Sequence, residues 1–556
     1  MTALILAALT APTADAWSLV RLEDGRSLRW TDDNPWVDAP YLPLAANTRN
    51  SAGVTPDVLQ ASVVRGLQRW QAASLDAFEY DYWQGDDSEV FSPCLEQDGL
   101  SAIFFASANP EAVAWLNGRT AAYTQIWYDE ATGHITEVDI VLNDLYFGFT
   151  DDPLAASYGS GGQLGQVLYL DDVITHELGH ALGIGHSGVL SSTMFTWSWA
   201  DQSALSCDDR GAVGEIFGNN AEVGRITGAV VGPDGAPVFG AQVTAVSRDR
   251  AASVTATFTE ANGSFLLEGL QPGEWYLMVE PFHDDTANLS EFYAGVDHDL
   301  CGGERFARTF LLGGDGVMLE PLEVGVTSAV LAPTIEVRCE APQGTGAGPA
   351  QASAATLAEG SLHFNVAEVV AMGAEDAWYL LRDVEGAFSL EILSYSLFSP
   401  AWIRPKVVDI YGDEVPGAVV DEPRFSDADS GYDVWDSRLT VTLPERGDYY
   451  LILEANRLSE DAYPGGETYL EEDAFALLIG SPEVSGEGYD CGTEEVFTEY
   501  TSPEGEPLRR EVDDGVAGAD AGVSRGCSMA PVGLAGWWAL VLAGLTRRRR
   551  SPGRVG

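Results

Sequence analysis

The residues of this chain whose types and spacing could do chemistry stand together in His176-Glu177-Leu178-Gly179-His180-Ala181-Leu182-Gly183-Ile184-Gly185-His186. Histidines four apart share one helix face, because 3.6 residues per turn return the chain to nearly the same azimuth one turn later. His176 and His180 can therefore grip one ion. Glu177, beside the first, can reach a water on that ion without being a ligand itself. Gly183 permits a backbone conformation that other residues tolerate poorly, so the chain can leave the helix and bring His186 back as a third ligand. Three imidazole nitrogens leave one tetrahedral position open to water, the arrangement a zinc hydrolase needs. The alternative is a helix with surface histidines and no metal. Requiring Gly183 and His186 as well makes a chance match rarer by roughly several hundred-fold at average residue usage.

Such side chains need a helix held on a sheet, and the sequence predicts both. Thr55-Pro56-Asp57 signals a helix start, with Thr as N-cap and Pro in the first turn. Val58, Leu59, Val63, Leu67 and Trp70 recur at helical spacing and leave Arg65, Gln68 and Arg69 for the other face. Leu170 to Leu182 reads as a second long helix, capped by Asp171, which carries the first two histidines. Ala102-Ile103-Phe104-Phe105 and Val138-Asp139-Ile140-Val141-Leu142 read as strands, and Leu28-Arg29-Trp30 is an earlier strand candidate.

Further residues extend the pattern. Ser187 follows the third histidine, Met194 lies in Ser191-Ser192-Thr193-Met194-Phe195, and Leu205-Ser206-Cys207-Asp208-Asp209 opens an apolar stretch ending at Ile216-Phe217-Gly218. Upstream, Gly133-His134-Ile135-Thr136-Glu137-Val138-Asp139-Ile140 has the look of a strand leading to the histidine helix. On these residues, 17–218 resembles a metzincin catalytic domain of the matrixin type. The resemblance implies an α+β fold (a twisted sheet with long helices), a catalytic Zn2+ on His176, His180 and His186, and hydrolysis of peptide bonds. It also implies Met194 as a floor beneath the metal, and a structural role for Asp208 or Asp209. Three departures stand out. His134 is the only histidine before His176, so the second, structural zinc of that family is expected to be missing. No cysteine switch precedes the domain, and Cys94 lies inside it. Phe195 stands where a tyrosine is common after the methionine, which leaves the wall of the specificity pocket open.

The chain's 556 residues exceed one core and suggest about three domains, and a hydrophobic content of 46% argues against wholesale disorder. A formal charge of -56 would repel nucleic acid and anionic lipid, so nucleic-acid binding is excluded. Most of that acidity reads as solvated surface, with low-affinity Ca2+ sites as the smaller share. The cysteines Cys94, Cys207, Cys301, Cys339, Cys491 and Cys527 form no C-x-x-C pair, so sparse disulfides of an exported protein fit them best. Cys94 with Cys207 and Cys301 with Cys339 are the expected bridges.

From Gly224 the texture changes to short alternating stretches punctuated by Gly and Pro. Gly228 to Val231, the Asp234-Gly235 turn and Gly240 to Val243 read as strand, turn, strand. Asn262-Gly263-Ser264-Phe265 and Leu270 to Tyr276 continue the pattern. Residues 223–340 resemble the carboxypeptidase regulatory-like sandwich, with His283 and His298 expected in exposed loops. A small-residue linker from Gly344 to Ala355 leads to 355–482, where Asp376 to Tyr379, Val408 to Gly412 and Leu443 to Leu451 resemble a bacterial pre-peptidase C-terminal sandwich. His363 reads there as a strand residue without chemistry. Asp427 and Asp429 could bind Ca2+, an ordinary acidic loop being the commoner state of such residues. The fold class expected is thus multidomain, an α+β catalytic domain followed by two all-β sandwiches.

The ends read as targeting segments. Residues 1–16 form a short apolar run ending in Ala14-Asp15-Ala16, which suits signal-peptidase cleavage before Trp17. Residues 483–526 are rich in Gly, Glu, Asp, Ser and Pro and read as a flexible acidic stalk. Residues 527–556 hold Cys527 between Gly526 and Ser528, an apolar run from Met529 to Leu545, and Arg547 to Arg550. They resemble the MYXO-CTERM type of surface-sorting tag, in which Cys527 is the processing and lipidation point; the alternative is a permanent single-span anchor.

The function expected is an exported zinc endopeptidase, monomeric and at the cell surface or outside the cell, acting on protein or peptide substrates. Glu177 would be the general base. The main rival is a non-catalytic surface adhesin with a relic metal domain, against which an intact Glu177 argues, since zinc binding alone does not require it. A zinc hydrolase of non-peptide bonds fits the ligands equally but not the matrixin-like surroundings.

Overall fold

The computed structural model describes residues 18–481 except 23, 32–39, 85–96, 112, 119, 158–165, 197–201, 219–223, 249–251, 282–290, 294–295, 314–318, 340–366, 372–375, 398, 400, 422–435 and 458–474. Several sequence expectations fall outside the described residues: the leader at 1–16, Cys94, His283, the linker at 344–355, His363, Asp427 and Asp429, and everything from 483 onward, including Cys491 and Cys527.

An α+β unit comes first. Strands β1 (Tyr41–Ala46), β2 (Glu79–Gln84), β3 (Ala102–Phe105), β4 (Ala122–Asp129) and β5 (His134–Leu142) form one sheet in the order β2-β1-β3-β5-β4. All neighbours are parallel except β4, which runs antiparallel to β5 at the sheet's edge. The two overlapping strand readings at Gly133 to Ile140 and Val138 to Leu142 are one strand, His134–Leu142. Leu28 to Trp30 is not a strand. Arg29 makes a single bridge to His134, while Leu28 and Trp30 are buried and the Trp30 indole donates to the Ala181 carbonyl at 2.8 Å.

Two helices cover the sheet. α1 (Pro56–Ala73) starts as its sequence predicts, Thr55 accepting the Val58 amide, and buries Leu59, Val63, Leu67 and Trp70. α2 (Leu170–Ala181) corrects two expectations. Its N-cap is Tyr169, which offers no side-chain cap, and Asp171 lies inside the first turn. There Asp171 is fully buried and grips Arg65 bidentately (2.6 and 2.7 Å) with Arg69 at 3.2 Å. Burial alone would raise the Asp171 carboxyl, but the two guanidiniums hold it below the ordinary aspartate value. Arg65 and Arg69 on the polar face of α1 are therefore partly buried and clamp α2, as does the Trp70 indole by donating to the Thr175 carbonyl at 2.8 Å. The short parallel strands β6 (Gly148–Thr150) and β7 (Val167–Tyr169) lead into α2. α3 (Cys207–Phe217) closes the unit, opened by a reciprocal cap between Ser206 and Asp209.

A two-sheet β unit follows. β8 (Gly224–Val231) lies between β11 (Ser264–Leu270) and the short strand β14 (Ala329–Leu331). The facing sheet has the order β10 (Ala252–Phe258), β9 (Gln242–Ser247), β12 (Gly273–Glu280), β13 (Thr309–Phe310). The turn at Asp234-Gly235 is present, Gly235 having φ 78°. Its arms pair locally, Val231 bridging Pro237 and the Val238 amide donating to the Val230 carbonyl at 3.1 Å, while β8 and β9 beyond it belong to different sheets. Cys301 and Cys339 are disulfide-bonded as expected. Cys207 is also disulfide-bonded, its expected partner Cys94 being outside the described residues. His298 is not exposed: it is 5% accessible, stacks edge-on against Phe306 and donates to the Phe239 carbonyl at 2.9 Å. The described residues between 367 and 481 form a second sandwich, with five strands in one sheet and three in the other among them.

The first two units are joined through α3, which packs on β10 and β11. Arg21 forms a buried ion pair with Glu260 at 2.5 Å and lies over the Phe292 ring. The two sandwiches share a smaller cluster, with Tyr276, Met278 and Phe310 meeting Leu393, Leu397 and Leu477.

Candidate metal centre

α2 carries His176 and His180 one turn apart, and the chain then turns sharply at Gly183, where φ is 100°. A Cβ there would also lie 2.5 Å from the Leu28 carbonyl oxygen, so glycine is required twice over. The segment after the turn is laced to the start of the described chain: Val20 donates to Gly183 (2.9 Å) and Gly185 to Ser18 (2.7 Å). This brings His186 back over α2. The ligand atoms of His176, His180 and His186 lie within 4.8 Å of one another, and the Nε2 atoms of His180 and His186 are 3.2 Å apart.

Two of the three rings are oriented by the backbone. His176 Nδ1 meets the Thr193 carbonyl at 2.7 Å and His180 Nδ1 the Ile184 carbonyl at 2.8 Å. A carbonyl only accepts, so each Nδ1 carries the proton and each Nε2 turns its lone pair to the shared hollow. His186 Nδ1 has no hydrogen-bond partner among the described residues. Burial, and for His180 and His186 the adjoining imidazoles, hold all three well below the ordinary histidine value. At neutral pH the trio is uncharged, the state in which imidazole ligates a metal.

Glu177 sits beside the trio, 5% exposed. The Thr124 hydroxyl, on edge strand β4, donates to Glu177 Oε2 at 2.5 Å. Burial pushes the Glu177 carboxyl up to about 7, and the Thr124 bond partly offsets it. A carboxyl near neutrality can both take and return a proton. Met194 lies beneath the helix, 1% exposed. A Cβ on Gly179 would lie 2.2 Å from Met194 Sδ and 2.7 Å from Trp70 Cζ2, so only glycine lets both approach α2. Asp209, 1% exposed, holds the turn that carries Met194. It accepts from the Ser192 hydroxyl (2.6 Å), the Thr193 amide (2.8 Å) and the Met194 amide (3.1 Å), besides capping α3 through Ser206. Phe195 is fully buried.

Residues 54–218 match the matrixin family model. Residues 225–296 match that of the carboxypeptidase regulatory-like domain. A matrixin domain is a metalloprotease domain, and its family metal is zinc, which the three neutral nitrogens of the hollow fit. No curated protein matches the chain. Among solved structures, the major pilin subunit BcpA of Bacillus cereus is similar at 15% identity with a TM-score of 0.12, covering 42% of this chain and 59% of that one. Hydroxyquinol 1,2-dioxygenase from Pseudomonas putida DLL-E4 is similar at 13% identity with a TM-score of 0.11, covering 21% of this chain and 56% of that one. This chain thus spans under two thirds of either structure, and likenesses of that TM-score bear on neither fold nor chemistry here.

All the predicted site residues in the matrixin domain meet at one place: the three histidines, Glu177, Gly183 and Met194. Both Asp208 and Asp209 proved structural where one was foreseen. Sequence reasoning missed Thr124, because a threonine in a strand carries no sign of what it faces. It also passed over Gly179, whose small size was the available signal.

Proposed function

We propose that the chain is an exported zinc endopeptidase that hydrolyses peptide bonds of protein or peptide substrates. The observation supporting this most directly is the convergence of three neutral imidazoles on one hollow with a buried carboxyl at its rim. His176, His180 and His186 would hold the zinc, which supplies a Lewis acid for the scissile carbonyl and a water of pKa about 7. Glu177 would accept a proton from the attacking water and return it to the leaving amine, acting as base and then acid. The Thr124 hydroxyl fixes which way the carboxylate points. Met194 supports the underside of α2 and moves no proton. Edge strand β4, whose Thr124 touches Glu177, ends its sheet, so an extended peptide could pair with its free side and pass the carboxylate.

Export and surface attachment rest on the sequence alone: the run at 1–16, the stalk at 483–526, and Cys527 with the apolar run and arginines that follow. Among the described residues no helix is long and apolar enough to cross a membrane. The region 355–482 is proposed as the pre-peptidase-type sandwich on the same footing.

Glu177→Ala is the test. The variant should keep its zinc while losing cleavage of a mixed peptide library, about 10²- to 10⁴-fold for a general base. The parent's cleavage should stop with chelator. Parental turnover in metal-loaded Glu177→Ala would refute the mechanism, and a parent without chelator-sensitive cleavage would favour the adhesin.

A further inference from the structure

We propose that the β-sandwich beginning at Gly224 is a working part of the metal centre, its residues Gln242 and Ala256 holding the backbone that carries the third ligand in place. This rests on reading His176, His180 and His186 as a metal site, but not on the reaction performed there.

The three ligands are not secured alike. His176 and His180 stand on a helix and are each oriented through Nδ1 by a carbonyl, whereas His186 stands after the helix and its Nδ1 has no such partner among the described residues. Its position therefore depends on the backbone around it. Ser187 donates its amide to Met194 at 2.8 Å and its hydroxyl to Asp208 Oδ2 at 2.6 Å, while accepting the Val189 amide at 2.9 Å. Asp208 is 4% exposed, and its other oxygen takes the amide of Ala256 at 3.0 Å. Ala256 belongs to β10, the edge of its sheet, so this amide points out of the ladder and Asp208 gives it a partner. The chain from His186 is thus tied through one carboxylate to the second unit.

The next residue meets the same unit directly. A Cβ on Gly188 would lie 2.3 Å from Gln242 Cδ on β9. Gln242 cannot swing aside cheaply: it is 4% exposed and donates to Glu280 Oε1 at 2.7 Å, and Glu280 in turn accepts Arg308 Nε at 2.8 Å, both partners being buried. Two adjacent strands of the sandwich therefore bear on the two residues that follow His186, β10 on Ser187 through Asp208 and β9 on Gly188 directly. Ordinary interface packing would stabilise the fold without touching metal affinity. A strut for the third ligand must change it, because partners behind a ligand set its orientation and typically alter affinity about 10- to 100-fold.

The experiment uses the full chain and reads zinc affinity by competition with a chelator on protein that melts cooperatively. Ala256→Pro deletes the donor to Asp208 while sparing the ladder, since proline is tolerated on the outer side of an edge strand. Gly188→Ala drives an atom into Gln242, and Gly188→Ala with Gln242→Ala makes room for it. Ala256→Pro and Gly188→Ala should each weaken zinc about 10-fold or more, and the double variant should recover most of the loss. Folded single variants with parental affinity, or a double variant as weak as Gly188→Ala, overturn the proposal. If one single variant fails to fold, the other decides. A parent that holds zinc tightly, loses it in these variants, and cleaves no peptide would remove the peptidase reading and leave this one standing.

Discussion

Gly183→Ala perturbs the turn between the second and third histidines, and its consequences can be worked from two observations. At φ 100° the backbone is in a region where a Cβ costs about 1–3 kcal/mol. That Cβ would also lie 2.5 Å from the Leu28 carbonyl oxygen, a contact relieved only if backbone moves, and overpacking of this kind costs about 1–3 kcal/mol more. The sum is roughly 2–6 kcal/mol, or on the order of 5–20 °C in the melting of a domain this size. The strain falls on Gly183, itself paired to Val20 and two residues before Gly185, which is paired to Ser18, so relieving it shifts the segment that carries His186, and zinc should weaken about 10- to 100-fold as well. Calorimetry of the metal-free protein gives the first quantity and chelator competition the second. An alanine variant that melts within about 1 °C of the parent and binds zinc equally would show that glycine is dispensable at the turn, refuting the strain reasoning.

Three other outcomes follow from the site. Thr124→Val removes the donor to Glu177 and should lower kcat about 10-fold with zinc content and KM little changed, whereas Thr124→Ser should retain most turnover; an unaffected Val variant would count against the positioning role. Asp209→Ala strands the Thr193 amide and the Ser192 hydroxyl that it accepts, and at about 1–3 kcal/mol per buried donor should cost about 2–6 kcal/mol in urea unfolding, with Asp209→Asn losing less. Burial, then the charge of Asp209, push the Asp208 carboxyl up to about 7. The folded form then binds this proton more tightly than the unfolded one. Its stabilising contribution is complete below the unfolded value near 3.8 and is lost as pH rises through about 7. Asp208→Asn should accordingly flatten the fall in unfolding free energy between pH 4 and 7, and an unchanged slope would argue against the raised value.

Residue type and local spacing were enough to name the candidate metal ligands and base. Ligand identity is a matter of residue type, and histidines four apart on a helix share a face whatever surrounds them, so His176, His180 and Glu177 could be assigned before any fold was known. Gly183 was legible because few residues tolerate positive φ, and the α1 start because Thr55 and Pro56 act locally. The division into an α+β unit and β sandwiches followed from a change in periodicity near Gly224. Expectations failed where a side chain's role is set by a distant partner. Asp171 reads as a cap but is buried against Arg65 and Arg69, about a hundred residues earlier. His298 reads as an exposed loop residue but is buried and donates to the Phe239 carbonyl, 59 residues earlier. Thr124 on Glu177, Met194 against Gly179, and Ala256 and Gln242 behind His186 were decided only by tertiary structure, because each is a contact between segments that no local rule relates.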